Sequence, residues 1–349
     1  MDRDITIGMD LGDRSHFCVV FNEQGEEVEC VKVSNTKVSV MRYFECYRGS
    51  TVAVEAGTHS AWVSRLLEDM GCQVYVGNPR RLRLIWDSED KSDERDARVL
   101  GLVCRLEPRL LWPVSHRDVG AHRDLETIKA RDVLVQSRTR LINHIRSVVK
   151  GVGERLPKCS AASFSSRCAE HVPAELREAL EPLFKTLDHL KEMIRELDRK
   201  IDMLCRERYP ETQRLMQVPG VGPVTALAYV LTIDDPGRFD KSRHIGSYLG
   251  LTPRRDQSGQ IDKQLRISKT GNRYLRQLLV NCSHYVLGPF GPDSDLRRFG
   301  LSIARRGGKN AKKRAAVAVA RKLSVLLHRL WISGEPYQLF YRPPMQKAA

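Results

Sequence analysis

Four carboxylates in the first third of the chain have the type and spacing that metal-assisted phosphate chemistry needs. Asp10 comes near the end of the alternating apolar run that opens at Ile5, with Gly12 clearing space beside it, and Glu55 closes a second run that begins at Thr51. Asp93 and Asp96 stand one helical turn apart near the start of a third segment. Each acid alone reads most simply as a strand-end cap or a solvated helix charge. Together, in a chain of formal charge +15 and isoelectric point about 9.5, they read as a cation site. Mg2+ takes hard oxygen ligands and keeps part of its water. Two such ions roughly 3.5 to 4 Å apart stabilise both the attacking and the leaving oxygen in phosphoryl transfer.

A second chemical stretch runs from Met216 to Arg276. Val218-Pro219-Gly220-Val221-Gly222 predicts a hairpin between two helices, where Gly220 and Gly222 would let backbone N–H groups approach a phosphate. The plainer reading is a glycine turn between packed helices. Gly250 to Gln264 reads as a polar loop holding Arg254, Arg255 and Lys263 near Ser258. A serine hydroxyl attacks phosphorus only when something takes its proton or stabilises the developing charge. On the residues alone, Ser258-Gly259 is a turn.

The elements that must position these groups fall into three predicted domains. Residues 1–112 predict an α/β domain, with a hairpin of Ile5–Gly12 and Phe17–Phe21, strands at Thr51–Glu55 and Gln73–Gly77, and helices from Ser60 and from Lys91. Residues 113–209 predict a helical, coiled-coil assembly region. Ile128, Val135, Ile142 and Val149 recur every seventh place, and Leu183, Leu187, Leu190, Ile194, Leu197, Ile201 and Leu204 alternate steps of four and three. That seam suits either a hairpin within the chain or pairing with a second copy. Residues 210–349 predict a mostly α domain, with helices over Phe239–Leu249, Arg273–Leu287 and Gly300–Trp331.

The positive excess points to a polyanionic partner, nucleic acid before membrane. Candidate phosphate contacts are Arg80, Arg81 and Arg83 ahead of the acidic helix, Lys269, Arg273 and Arg276 beyond the serine loop, and Arg305, Arg306, Lys312 and Lys313 in the last basic stretch. Aromatic content of 7% argues against broad base-stacking platforms. No apolar run reaches the ~20 residues of a membrane span, and Met1-Asp2-Arg3-Asp4 lacks the apolar core of a signal peptide, so a cytoplasmic, membrane-free protein is expected. Nine cysteines without C-x-x-C or zinc spacing are expected to be free thiols.

Ile7-Gly8-Met9-Asp10, Val54-Glu55-Ala56-Gly57-Thr58 and Lys91-Ser92-Asp93-Glu94-Arg95-Asp96-Ala97-Arg98, with Asn78-Pro79 before the last, resemble the D, E, D and D motifs of the transposases of insertion-sequence family 110. Ser92 stands where that family commonly has threonine, and keeps the hydroxyl. Tyr248 to Gly259 and Ile267 to Arg276 resemble the family's C-terminal transposase domain. The resemblance implies a RuvC-like (RNase H-like) N-terminal fold and Mg2+ held by Asp10, Glu55, Asp93 and Asp96. It also implies Ser258 as the nucleophile that becomes linked to DNA, with Ser268 as its rival. Donor and target DNA, a guide (bridge) RNA from the element, and a homodimer assembling to a tetramer are the partners it implies. It favours contact between copies at the heptad seam, and a site composed from separate domains. The expected function is strand cleavage and transfer by an RNA-guided transposase. A RuvC-like nuclease or junction resolvase using water, and a nucleic-acid binder without activity, are the alternatives.

Overall fold

The computed structural model describes residues 5–82, 92–258 and 261–340, and the chain forms two compact units, Met1–Arg117 and Asp118–Ala349. The first unit is built on five strands: β1 (Thr6–Leu11), β2 (Ser15–Phe21), β3 (Glu27–Ser34), then, after helix α1 (Lys37–Phe44), β4 (Thr51–Glu55), and, after α2 (Ser60–Asp69), β5 (Gln73–Gly77). A short α3 (Pro79–Leu82) and the longer α4 (Asp93–Leu106) follow. The sheet order is β3-β2-β1-β4-β5, antiparallel across the first three strands and parallel from β1 to β4 to β5. The mildly polar β3 lies at one edge, a strand that the run of apolar residues did not announce.

Period-two alternation gives the sheet two apolar faces. Ile7, Met9, Val20, Val52 and Val54 pack with Val40 and Phe44 of α1 and with Val63 and Leu67 of α2. On the other face Ala53 meets Leu100 and Cys104 of α4, and Val19 and Phe21 meet Ala97. Here β1 and α4 touch backbone to backbone. A Cβ on Gly8 would lie 1.9 Å from the Ala97 carbonyl oxygen and 2.4 Å from the Gly101 nitrogen, and one on Gly101 would lie 2.5 Å from the Phe21 ring. Two glycines therefore set the depth at which α4 sits on the sheet.

The second unit opens with α5 (Val119–Gly151) and, beyond a cap that includes α6 (Phe164–Cys168), α7 (Ala174–Glu207). The two long helices run antiparallel. Ala121, Leu125 and Ile128 share a cluster with Ile201 and Leu204, while Ile142, Ile145 and Val149 share another with Leu180, Phe184 and Leu187. The heptad seam thus packs on α5 of the same chain. Apolar stripes on two adjoining long helices close on each other at no cost in association entropy. Buried Asp124 ties the base of the hairpin, accepting from Tyr209 Oη at 2.9 Å and facing Arg208 Nη1 at 3.0 Å.

The remaining elements are α8 (Glu211–Leu215), α9 (Pro223–Ile233), α10 (His244–Tyr248), the hairpin β6 (Pro253–Ser258) and β7 (Ile261–Ile267), then α11 (Arg273–Leu287), α12 (Asp295–Arg305) and α13 (Ala311–Ser333). Apolar on all sides, α9 is buried from Thr225 to Ile233, and Tyr229 Oη donates to the Ser324 carbonyl at 2.7 Å. Three sequence-based expectations are corrected. The Phe239–Leu249 helix shrinks to α10, because the preceding turn is pinned by Asp235, which accepts from Gly237 N, and by His328, whose ring nitrogens lie 3.0 Å from Ser242 Oγ and the Pro236 carbonyl. The Gly250–Gln264 loop is largely an antiparallel ribbon. The Gly300–Trp331 helix is two helices, broken at Gly307 and Gly308, whose φ values of 73° and 88° no helix contains.

Candidate active site

Gly8 and Asp10 are two residues apart on β1 and so face the same side, toward α4. Where Gly8 admits the Ala97 and Gly101 backbone, the next turn of α4 toward its start carries Asp93 and Asp96. Ser92 caps that helix, its hydroxyl accepting from Arg95 N at 3.2 Å. Glu55, the last residue of the neighbouring strand, shares the α4 face with Ala53. Three elements thereby bring four acids into one field.

Asp10 records that field. Its carboxyl is pushed up from 3.8 to about 6, chiefly by burial and then by the negative charges of Asp93, Asp96 and Glu55, against a hydrogen bond from the Leu11 backbone. Three mutually repelling carboxylates around a half-buried fourth fit a hard divalent cation, which would relieve the repulsion and accept oxygen ligands. The start of α4 contributes further positive potential for Asp93 and Asp96. Among the described residues, the metal-type trio whose ligand atoms all lie within 4.8 Å of one another is a different one, Glu27, Cys30 and Glu94. There the cation is already a guanidinium: Arg98 Nε and Nη2 lie 2.7 Å from Glu27 and Glu94 respectively.

Two supports of this site have no counterpart in the sequence-derived set. Gly8 and Gly101 fix the approach of α4, and a lone glycine inside an apolar strand was the available signal. Asn35 Nδ2 donates to the Gly12 and Asp13 carbonyls at 3.1 and 2.9 Å, holding the turn that follows Asp10. Nothing in the spacing of Asn35 marked it.

Ser258 ends β6, exposed, paired in register with Ile261. Arg254 and Arg255 are exposed on the same strand, and Arg255 is engaged by Asp262, Nε to Oδ1 at 2.7 Å. Ser268 lies beyond the ribbon with its hydroxyl 2.9 Å from that of Thr270. The candidate phosphate contacts divide. Gly222 is exposed with open space where a Cβ would be, but Gly220 (φ 87°) packs against the Tyr285 ring, which a Cβ would meet at 2.8 Å. Arg273 and Lys269 are exposed, whereas Arg276 Nη1 donates to the Leu249 and Thr270 carbonyls at 2.9 Å each and so braces the ribbon's base. Arg305, Arg306, Lys312 and Lys313 are all exposed around the break between α12 and α13. Beside them Lys269, Lys313 and Arg314 rim a groove of about 1180 Å³ with apolar walls that include Phe299, Ile303 and Val317. Arg80 and Arg81 lie in α3, where Arg81 stacks 4.5 Å above the Trp112 ring, and Arg83 falls outside the described residues.

Two family models match the chain. Residues 7–153 match a DEDD transposase model of the IS110 type, and residues 212–295 match the model described as transposase IS116/IS110/IS902 family. The chain is 28% identical to the transposase for insertion sequence element IS1111A of Coxiella burnetii, over 83% of this chain and 79% of that one. It is also 28% identical to a probable family 20 transposase of Pseudomonas aeruginosa, over 93% and 96%. A shorter match, 29% identical over 43% of this chain and 46% of the relative, is to the pilin gene-inverting protein of Moraxella bovis. No helix among the described residues is long and apolar enough to cross a membrane. With the DEDD model spanning all four clustered acids and the second model spanning the serine ribbon, the chain belongs to the IS116/IS110/IS902 family of transposases, enzymes that cut and join DNA.

Proposed function

We propose that the chain cuts and rejoins donor and target DNA with the Ser258 hydroxyl as nucleophile and with Asp10, Glu55, Asp93 and Asp96 holding Mg2+, inside a RuvC-like N-terminal domain. The observation that supports the metal site is Asp10, whose carboxyl is raised by burial first and then by the charges of all three other acids. When bound, Mg2+ would supply positive charge to the phosphate oxygens as negative charge develops there. Asp10 and Glu55, rooted in adjacent strands, and Asp93 and Asp96, rooted in one helical turn, would keep the ligand set rigid through that change.

The Ser258 oxygen would form the bond to phosphorus, and the bond to the 3′ oxygen would break, leaving a 3′ hydroxyl and a 5′ phosphoserine. Attack by another 3′ hydroxyl would return the serine and join the strands. Exposure at the end of a ribbon suits a residue that must reach a phosphate and carry a strand. Sequence choice in this reading falls to a guide RNA, as the family resemblance implies, while the exposed cations at Arg305, Arg306, Lys312 and Lys313 suit phosphate contact. A homodimer assembling to a tetramer would bring donor and target together.

The test is strand cleavage in Mg2+ by the wild type, Asp10→Asn and Glu55→Gln, with DNA binding measured alongside. Both variants should bind DNA and fail to cut. Cleavage at wild-type rates by either one removes the quartet from the mechanism. RNA that copurifies with the protein should be one defined species, and a random host population would argue against guidance.

A further inference from the structure

Of nine cysteines, two stand together. Cys159 and Cys168, nine residues apart in the cap that joins α5 to α7, place their sulfurs 3.6 Å from each other, and both are thiols. The pair is held from three sides. Arg146 Nη2 contacts Cys159 Sγ at 3.6 Å while Arg146 also donates to the Leu156 and Pro157 carbonyls. The Phe164 ring lies under the same guanidinium at 5.0 Å, and Cys168 Sγ faces the Pro157 carbonyl at 3.8 Å. Cys168 is fully buried and Cys159 is partly exposed. One sulfur is therefore open to a small solute, and the second waits behind it within a short movement of bonding distance. Neither thiol has a part in the phosphate chemistry proposed above.

We propose that Cys159 and Cys168 are an oxidative modification site, at which a peroxide converts the two thiols into an intrachain disulfide. Cys159, as thiolate, attacks one peroxide oxygen; the O–O bond breaks and the departing oxygen leaves as water, giving a sulfenic acid. Cys168 then attacks the Cys159 sulfur; the S–O bond breaks and a second water leaves as the S–S bond forms. Two thiols and one hydrogen peroxide become one disulfide and two waters, so the sulfurs lose two electrons and the peroxide gains them. Burial pushes the Cys168 thiol up to about 11, so it is the poorer first target for peroxide, and its part in the second step rests on standing 3.6 Å from the Cys159 sulfur. The other exposed thiols, Cys30 and Cys46, are free and serve as internal controls for oxidation. Closure would pin the end of α6 to the chain entering the cap, at the tip of the helical hairpin.

The experiment treats the full-length reduced protein with stoichiometric hydrogen peroxide, blocks remaining thiols with N-ethylmaleimide, and maps peptides by mass spectrometry without reduction. The expected product is a cross-linked Cys159–Cys168 peptide short of two hydrogens, reversed by dithiothreitol. In Cys168→Ser, dimedone should label Cys159, and in Cys159→Ser the remaining Cys168 should stay unlabelled, at least tenfold below Cys159. Recovery of both residues as maleimide adducts while Cys30 and Cys46 are oxidised would overturn the proposal. So would sulfinic acid at Cys159 with no cross-link in the wild type. Circular dichroism of both serine variants confirms that they are folded before labelling is compared.

Discussion

Replacing Asp10 by asparagine should make the metal-free protein more stable and, at the same time, inactive. The side chain keeps its size while the quartet loses one charge. Asp10 is raised from 3.8 to about 6 in the fold, so between those values the folded protein holds a proton that the unfolded chain has released. Stability from this group is therefore present at low pH and lost as pH rises through about 6. At ~1.4 kcal/mol per unit the shift amounts to about 3 kcal/mol, and solvent screening of a carboxyl that is only half buried brings the expected gain for Asp10→Asn to about 1–1.5 kcal/mol at pH 7.5. Urea unfolding in EDTA, followed by tryptophan fluorescence, to which Trp62, Trp86 and Trp112 of the first unit contribute, reads it out. The gain should shrink toward zero at pH 4, and Mg2+ should stabilise the wild type but not the variant. A variant less stable than wild type at pH 7.5, or a gain equal at both pH values, would refute the picture of four carboxylates in mutual conflict.

Gly8→Ala places a methyl carbon 1.9 Å from the Ala97 carbonyl oxygen, so α4 must move away from β1. Urea unfolding should show a loss of about 1–3 kcal/mol, and displacement of Asp93 and Asp96 should lower cleavage ~100-fold in a folded protein. Asp124→Ala leaves Tyr209 and Arg208 without their buried acceptor, and thermal unfolding should show a cost of about 3 kcal/mol with the acidic site unaffected. Lys312→Gln with Lys313→Gln should weaken DNA binding alike on all sequences and reduce the slope of log affinity against log salt by about 2, measured by fluorescence anisotropy.

The acidic site was legible because its signal is local and chemical. A carboxylate at the end of an apolar strand is conspicuous, and Asp93 and Asp96 announce a helix start through Ser92. The contact that gathers them was not legible, since Gly8 and Gly101 are separated by a long stretch of chain and nothing in either neighbourhood names the other. The heptad seam illustrates the limit from the other side. Leu187, Ile194 and Ile201 correctly mark a buried stripe, but periodicity carries no information about which helix covers it. Gly307 and Gly308 sit inside an acid-free basic run, which hid a break that the positive φ values impose. Arg276 and Gly220 are basic and glycine residues with structural duties, and composition alone does not separate those from residues that face a ligand.

The central claim is that Ser258 takes the DNA strand onto its own oxygen. Incubating the protein with Mg2+ and a donor DNA nicked near the cleavage point traps whatever covalent species forms. Digestion and mass spectrometry then locate the residue that carries a nucleotide. The account requires the phosphonucleotide on Ser258 and its disappearance in Ser258→Ala with the fold intact. A free 5′ phosphate with no protein attached, or an adduct on Ser268 that survives Ser258→Ala, would contradict it.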